Sequence, residues 1–478
     1  MTERNSILKN TVALAVPSVL NPVVSFVLIL LISRYLGVQG LGEYSLILSY
    51  FGIFSTLASL GLADLLVREA ARRPGEMHNL FANALLFGVV SSLAAMLGMN
   101  AAVVVLDYQR EIVLASFICS FALIASTGAT YAEAMFRSRE LSEYVALSYV
   151  VENAIRVGVC VFLLYRGFGI PALFYAFMGT RMLAALFIYL VYLRVLGRPT
   201  WSQDREKWKL LAGQAATFAS IAIFSTIHLS VDQIMLSKLA NIESVGIYSA
   251  ADRLLTICKT FPAAFASALL PFFTKAYVDG RNSLVDLVMK AVQYVMLILL
   301  PVVVGTVILA DSIIVLIYGA KFMESVDVLR LHIVSLIPFS LVFLLAQTLI
   351  ATDKQAVDLK INVVAAVLNV VLNFVLIPPL GVIGSVLATL ITVSAFYFLQ
   401  NVYIRSYLFS VSLAKVSVRP LAAALGMGVV TYGLRGQNVF LNVAISAMAY
   451  FGLAWGLRAV SREDVRSLAA IFSQTRVR

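Results

Sequence analysis

Charge is scarce in this chain. Only 13% of its 478 residues are Asp, Glu, Lys or Arg, against 61% hydrophobic. With a mean hydropathy of +0.93, that balance excludes a water-soluble globular domain and points to an integral membrane protein. Cysteine is nearly absent: Cys119, Cys160 and Cys258 all fall inside apolar runs. Neither a disulfide framework nor a thiolate metal site is indicated, and each reads as a small core residue. The three histidines, His78, His228 and His332, show no metal-ligand spacing, and no Gly-Lys-Ser or Gly-Lys-Thr phosphate loop for ATP occurs. No metal, no cofactor and no direct use of ATP are expected. The segment Gly167-Phe168-Gly169-Ile170-Pro171-Ala172 fits a loose dinucleotide pattern, but it joins two apolar helices instead of following a strand, so a phosphate cradle is excluded.

What is present is a succession of apolar runs. Fourteen of helix length begin near Thr11, Leu41, Asn79, Ile112, Tyr144, Pro171, Leu210, Val245, Leu284, Val326, Ala356, Ile383, Val416 and Asn438. A helix of about 20 residues crosses about 30 Å of hydrocarbon, so each can span a membrane. The first follows Arg4 and Lys9 and continues past Leu31, too long for a signal-peptide core, and reads as a retained span.

A net charge of +11 would suit a nucleic-acid binder if it were clustered, but it is distributed over loops. Twenty-five of the 36 Lys and Arg lie on one side, in groups such as Arg68, Arg72 and Arg73, Arg194 to Lys209, and Arg458 to Arg478. Seven lie on the other side and four within spans. The positive-inside rule then places both termini in the cytoplasm and requires an even number of spans. Nucleic acid is not expected as a partner.

The chain repeats itself. Ser33-Arg34-Tyr35-Leu36-Gly37-Val38-Gln39-Gly40-Leu41-Gly42-Glu43-Tyr44-Ser45 returns 204 residues later, without a gap, as Ser237-Lys238-Leu239-Ala240-Asn241-Ile242-Glu243-Ser244-Val245-Gly246-Ile247-Tyr248-Ser249. Span 1 therefore matches span 7, and span 2 matches span 8. The expected fold is all-α and polytopic: two parallel six-helix lobes around a central cleft, plus two C-terminal helices. The expected boundaries are 1–208 for the first lobe with its cytoplasmic linker, 209–404 for the second lobe, and 405–478 for spans 13 and 14 with a cytoplasmic tail. Pro17, Asn21 and Pro22 give span 1 either a gating bend or a static kink.

Asp232-Gln233-Ile234-Met235-Leu236, continuing to Val245-Gly246-Ile247-Tyr248-Ser249-Ala250-Ala251, resembles the signature of one branch of the multidrug/oligosaccharidyl-lipid/polysaccharide flippase superfamily. That branch is the polysaccharide-transporter (Wzx-type) group. Arg34-Tyr35-Leu36-Gly37, followed by Gly42-Glu43-Tyr44-Ser45 and Gly61-Leu62, resembles it too, and the likeness extends over essentially the whole chain, including the turn at Tyr318-Gly319. The resemblance implies a flippase of the bacterial inner membrane with a cationic lumen, not an enzyme. Its implied cargo is undecaprenyl-diphosphate-linked oligosaccharide, an O-antigen or exopolysaccharide repeat unit, carried from the cytoplasmic to the outer leaflet. Membrane lipids and the polysaccharide polymerase machinery are the implied partners. In peptidoglycan-precursor relatives the last two helices help form a lipid groove, which extends to spans 13 and 14 a role in cradling a polyprenyl tail. The alternatives are a peptidoglycan-precursor flippase or a drug/cation antiporter of the same superfamily and, in a different class, a membrane-embedded glycan polymerase or ligase.

Ionisable residues inside a membrane are costly and usually face a cavity, which makes them the functional candidates. Arg181 and Lys259 lie near the middle of their spans with no acid three or four residues away; each contacts either an anionic cargo or a partner on another helix. Arg156 follows Glu152 by four residues, on one helical face, as a self-neutralising pair or as part of a wet lumen. Asp252, Arg253 and Lys259 form a mixed-charge stripe, and Arg34 either snorkels to the interface or contacts cargo. His228 and Asp232 share a face and offer either proton coupling or a structural hydrogen bond. Asp64 with Arg68, and Glu133 with Arg137, sit at cytoplasmic helix ends as an inner gate or as exposed pairs. Asn362, Asn369 and Asn373 make an amide stripe suited to interhelical hydrogen bonding or sugar reading.

Overall fold

The computed structural model describes residues 3–201, 208–209, 212–213, 226, 230–408 and 413–459, with side chains from 24 onward except at 413–415. Every regular element among them is helical. In chain order these are α1 (Glu3–Ser59), α2 (Leu62–Arg72), α3 (Met77–Val105), α4 (Arg110–Ser138), α5 (Ser142–Tyr165), α6 (Ile170–Val195) and α7 (230–239). There follow α8 (Ile242–Asp279), α9 (Arg281–Tyr318), α10 (Ser325–His332), α11 (Leu336–Ala351), α12 (Gln355–Leu380), α13 (Val382–Tyr407), α14 (Leu413–Gly433) and α15 (Val439–Gly456).

Twelve helical stretches among the described residues are long and apolar enough to cross a membrane. They account for the anticipated fourteen in two ways. The span expected from Leu210 lies mostly outside the described residues, as do His228 and the side chains of Pro17, Asn21 and Pro22. The runs starting near Thr11 and Leu41 both fall in α1, whose 57 residues would extend roughly 85 Å as one rod, far beyond a bilayer core. The break is at Gly37, with φ 70 and ψ −162, a backbone region essentially reserved for glycine.

The outer surface confirms the solvent. Large apolar side chains such as Val105, Val278, Val429 and Phe440 are each more than 70% exposed, the reverse of a water-soluble protein and the expected face toward lipid.

The chain packs into two compact units: Met1–Ala250 with Asn369–Ser385, and Ala251–Leu368 with Val386–Arg478. In the first, α4 packs on α3 and α6, and α1 on α3, α4 and α5. Its core holds Phe81, Tyr131, Phe136 and Tyr192, all fully buried, with the Phe81 and Tyr192 rings 4.4 Å apart. Lipid tails are as apolar as leucine, so packing and interhelical hydrogen bonds hold such helices together. Ser92 donates to Thr127 at 3.0 Å and Asn100 to Ser120 at 3.0 Å, both between α3 and α4. After α6, the indole of Trp208 donates to Asn83 at 3.0 Å, tying the linker to α3.

In the second unit, α9 presents Leu284, Val288, Val292, Val295, Leu299 and Val303 to the core, steps of three and four that form one helical stripe. That helix packs on α11 and α14. At the Tyr318-Gly319 turn, α9 ends at Tyr318, a single 3-10 turn spans Ala320–Phe322, and α10 follows. The Tyr318 and Phe322 rings lie 5.3 Å apart across it.

Candidate functional site: buried charges and an apolar groove

The polar centre of the first unit is Glu152. It lies on the buried face of α5, its side chain 3% exposed, and Arg181 on α6 donates to Oε2 at 3.0 Å. Arg156, one turn along α5, places a guanidinium nitrogen 3.6 Å from Oε1 and donates to Asn153. Both guanidiniums also lie over the Phe177 ring, at 5.7 and 5.8 Å from its centroid, an arrangement favourable to cations. The pairing of Glu152 with Arg156 follows the four-residue spacing. The partner of Arg181 is on another helix, one of its two anticipated roles.

One carboxylate facing two guanidiniums leaves a formal surplus of one positive charge. The Nε groups of Arg156 and Arg181 are buried with no hydrogen-bond partner among the described residues, so each retains a donor for an additional acceptor. Nearby on α4, buried Glu133 accepts from the Tyr149 hydroxyl at 2.8 Å. Sequence reasoning missed Phe177 and Tyr149, which are ordinary aromatics in apolar runs.

A second buried centre surrounds Asp232 on α7. Its Oδ1 accepts from the Asn373 amide of α12 at 2.7 Å and its Oδ2 from the Tyr248 hydroxyl of α8 at 3.1 Å. Asn373 also donates to the carbonyl and side chain of Asn369. Both asparagines are fully buried; Asn373 supplies the interhelical hydrogen bond to Asp232, and Asn369 braces Asn373 from within α12. Next to Asp232, Gln233 accepts from Ser49 of α1 at 2.8 Å.

The remaining candidates separate. In the second unit, Asp252 of α8 lies 3.3 Å from Nε2 of fully buried His332 on α10; His332 had carried no signal because its partner is 80 residues away. Lys259 places its ammonium 4.7 Å from the Phe339 ring centroid, and the Nε of Arg253 is buried without a hydrogen-bond partner among the described residues. Arg34 is exposed near the break in α1. Lys238, its counterpart in the repeat, stacks its ammonium 3.5 Å above the Tyr108 ring. Asp64 and Arg68 are exposed, and Arg68 donates to neighbouring Glu69 at 3.1 Å.

The second unit also contains an apolar groove of about 400 Å³ between α9, α14 and α15, lined by Ile298, Pro301, Val302, Met427, Val443 and Phe451 among others. Its walls are fixed by hydrogen bonds. Thr431 donates to Ser446 at 2.8 Å, Ser446 to Asn442 at 3.0 Å, and Asn442 to the Thr431 carbonyl at 3.0 Å. Tyr450 ties α15 to the Leu297 carbonyl of α9 at 2.6 Å. The three cysteines are free.

Buried ionisable side chains within a polytopic helical membrane protein point to the class of membrane transporters. Known proteins support that class. A profile described as polysaccharide biosynthesis protein matches residues 7–277, and the chain belongs to that family. It is 20% identical over 405 residues to a probable low-salt glycan biosynthesis flippase of Haloferax volcanii, covering 84% of each chain. With a probable flippase of the same organism it shares 26% identity over 260 residues, covering 53% of this chain and 52% of that one. Among solved structures, a lipid II flippase, MurJ, in an inward closed conformation aligns with TM-score 0.79 at 13% identity, covering 94% of this chain and 98% of that one. An inward-facing multidrug-resistance MATE transporter aligns with TM-score 0.68 at 17% identity, covering 85% and 98%. The fold is therefore that of the flippase and drug-transporter superfamily, and the protein is a multi-pass membrane protein of polysaccharide biosynthesis.

Proposed function

We propose that this chain is a Wzx-type flippase of the bacterial cytoplasmic membrane, which moves undecaprenyl-diphosphate-linked oligosaccharide from the inner to the outer leaflet by alternating access. The cationic surplus at Glu152 carries this reading. A diphosphate brings several negative charges and paired acceptor oxygens, which a guanidinium can grip in bidentate fashion and a lone ammonium matches less well. Arg156 and Arg181 retain buried donors, and Glu152 holds both in place until a stronger anion arrives. A carrier of cationic drugs would need the opposite charge balance.

The apolar groove supports the second half of the cargo. Its named lining is aliphatic and aromatic, suited to a polyprenyl chain that stays in hydrocarbon while its headgroup crosses. In this reading residues 1–208 and 209–404 form the two moving lobes, and 405–478 add the groove helices. The bias of the loop charges supports a cytoplasmic position for both termini. Asp232, with Tyr248 and Asn373 around it, is the group through which an ion gradient would act.

Depletion of the protein followed by analysis of lipid extracts tests the cargo: the expected result is accumulation of a polyprenyl-diphosphate oligosaccharide in the inner leaflet. Complementation by Arg181→Ala or Arg156→Ala should fail although the protein is present in the membrane at normal level. Normal surface glycan with both variants removes these arginines from the mechanism, and glycosyl transfer by the purified protein overturns the transporter reading.

A further inference from the structure

The repeat has a geometric counterpart. Gly42 on α1 approaches the backbone of Ile242 and Gly246 on α8 so closely that an added Cβ would collide with the Ile242 carbonyl and lie 3.0 Å from the Gly246 nitrogen. Gly246 in turn faces Val38, where an added Cβ would collide with the carbonyl and lie 3.1 Å from Cγ1. Val38 and Ile242 are equivalent positions of the repeat, as are Gly42 and Gly246. The two contacts are images of each other: each copy's glycine sits on the other copy's carbonyl, one turn back. Leu41 and Val245, also equivalent, are fully buried beside them. All these residues belong to one compact unit.

We propose that this reciprocal Gly42–Gly246 crossing is the outer gate of the transport path. The inference rests on the alternating-access reading and on the orientation drawn from loop charges. Three features favour a gate over a static joint. The crossing joins the two repeat copies, whose relative movement alternating access requires. It is backbone against backbone, held by dispersion and weak Cα–H contacts to carbonyls. Its two closest contacts are glycine against carbonyl, and buried Glu43 beside it is held by Gln39 of its own helix, a bond that survives when the two helices part. Beside it, a hydroxyl chain from Tyr50 of α1 through Tyr108 of the α3–α4 loop at 3.2 Å to Ser237 of α7 at 2.7 Å ties α1 to α7. About two turns deeper, Ser49 pairs with Gln233 behind the closed crossing.

The test uses the full chain with Cys258→Ala and a Ser49→Cys reporter, in right-side-out and inside-out vesicles, labelled with a membrane-impermeant maleimide. Gly42→Ala and Gly246→Ala each overfill the crossing and are expected to speed labelling from the outer face by roughly tenfold or more and to lower transport. Gly158→Ala, with nothing within 4 Å of its added Cβ, should leave both unchanged. If the glycine variants fail to fold, Leu41→Ala and Val245→Ala loosen the same layer by removing packing and should shift labelling in the same direction. Faster labelling from the cytoplasmic face instead overturns the orientation and with it the outer assignment. Unchanged labelling from both faces in folded variants overturns the gate, whatever cargo is carried.

Discussion

Arg181 on α6 donates to Glu152 on α5 at 3.0 Å, across 29 residues of sequence, and together with Arg156 brings two guanidiniums to one buried carboxylate. Removing the carboxylate leaves two neighbouring cations without their shared partner. Glu152→Gln is expected to destabilise the purified protein by about 3 kcal/mol, read as a lowered Tm in detergent. Arg181→Gln, which leaves Glu152 paired with Arg156, should cost less than half as much while still abolishing export. A larger loss from Arg181→Gln than from Glu152→Gln would contradict this bookkeeping of charge.

Asp232 accepts from Asn373 and Tyr248 at once. Asp232→Asn keeps the shape and removes the ionisable group. If an ion gradient acts there, transport by Asp232→Asn in reconstituted vesicles should lose its dependence on the imposed gradient while the protein folds normally. Tyr248→Phe should retain the dependence with a reduced rate. A gradient dependence undiminished in Asp232→Asn would move the coupling site elsewhere.

The clasp between α14 and α15 sets the width of the groove. Interhelical hydrogen bonds in membranes contribute on the order of 0.6 to 2 kcal/mol each, so Asn442→Leu, which removes the bond to the Thr431 carbonyl of α14 and the acceptor for Ser446 within α15, should lower stability by about 1 to 2 kcal/mol. Gly305→Leu should instead leave Tm nearly unchanged: its Cβ would meet only the Met427 methyl at 3.8 Å, and the added side chain would fill the groove. Transport should fall sharply in Gly305→Leu, and crosslinking to a photoreactive polyprenyl phosphate should fall with it.

Gly37 has a φ and ψ that no residue with a Cβ adopts at low cost. Gly37→Ala is expected to destabilise by about 1–3 kcal/mol, although nothing lies within 4 Å of the added Cβ. Equilibrium unfolding beside Gly158→Ala separates this backbone effect from a packing effect.

Much of the scaffold was legible because membrane insertion imposes a simple rule: backbone polar groups must be satisfied within the segment, so a run of about 20 apolar residues becomes a helix. Each of the twelve spans found begins within a few residues of an anticipated run, except where α1 carries two of them. The site was legible only where its partners share a helix, as with Glu152 and Arg156. Arg181 showed no partner in its own span, and His332 gave no hint of Asp252, because spacing along a helix says nothing about which neighbouring helix supplies the other half of a pair.

The sequence by itself determined that the chain spans a membrane through apolar helices, that its loop charges are biased to one side, and that one segment is duplicated 204 residues on. Those properties follow from local composition, and hydrocarbon reads composition segment by segment. Tertiary structure alone decided that Arg181 reaches Glu152, that Asn373 reaches Asp232 across 141 residues, and that Gly42 and Gly246 face each other's copy of the repeat. These contacts depend on helix rotation and crossing, which side-chain packing sets, and lipid that solvates every apolar face alike cannot specify them.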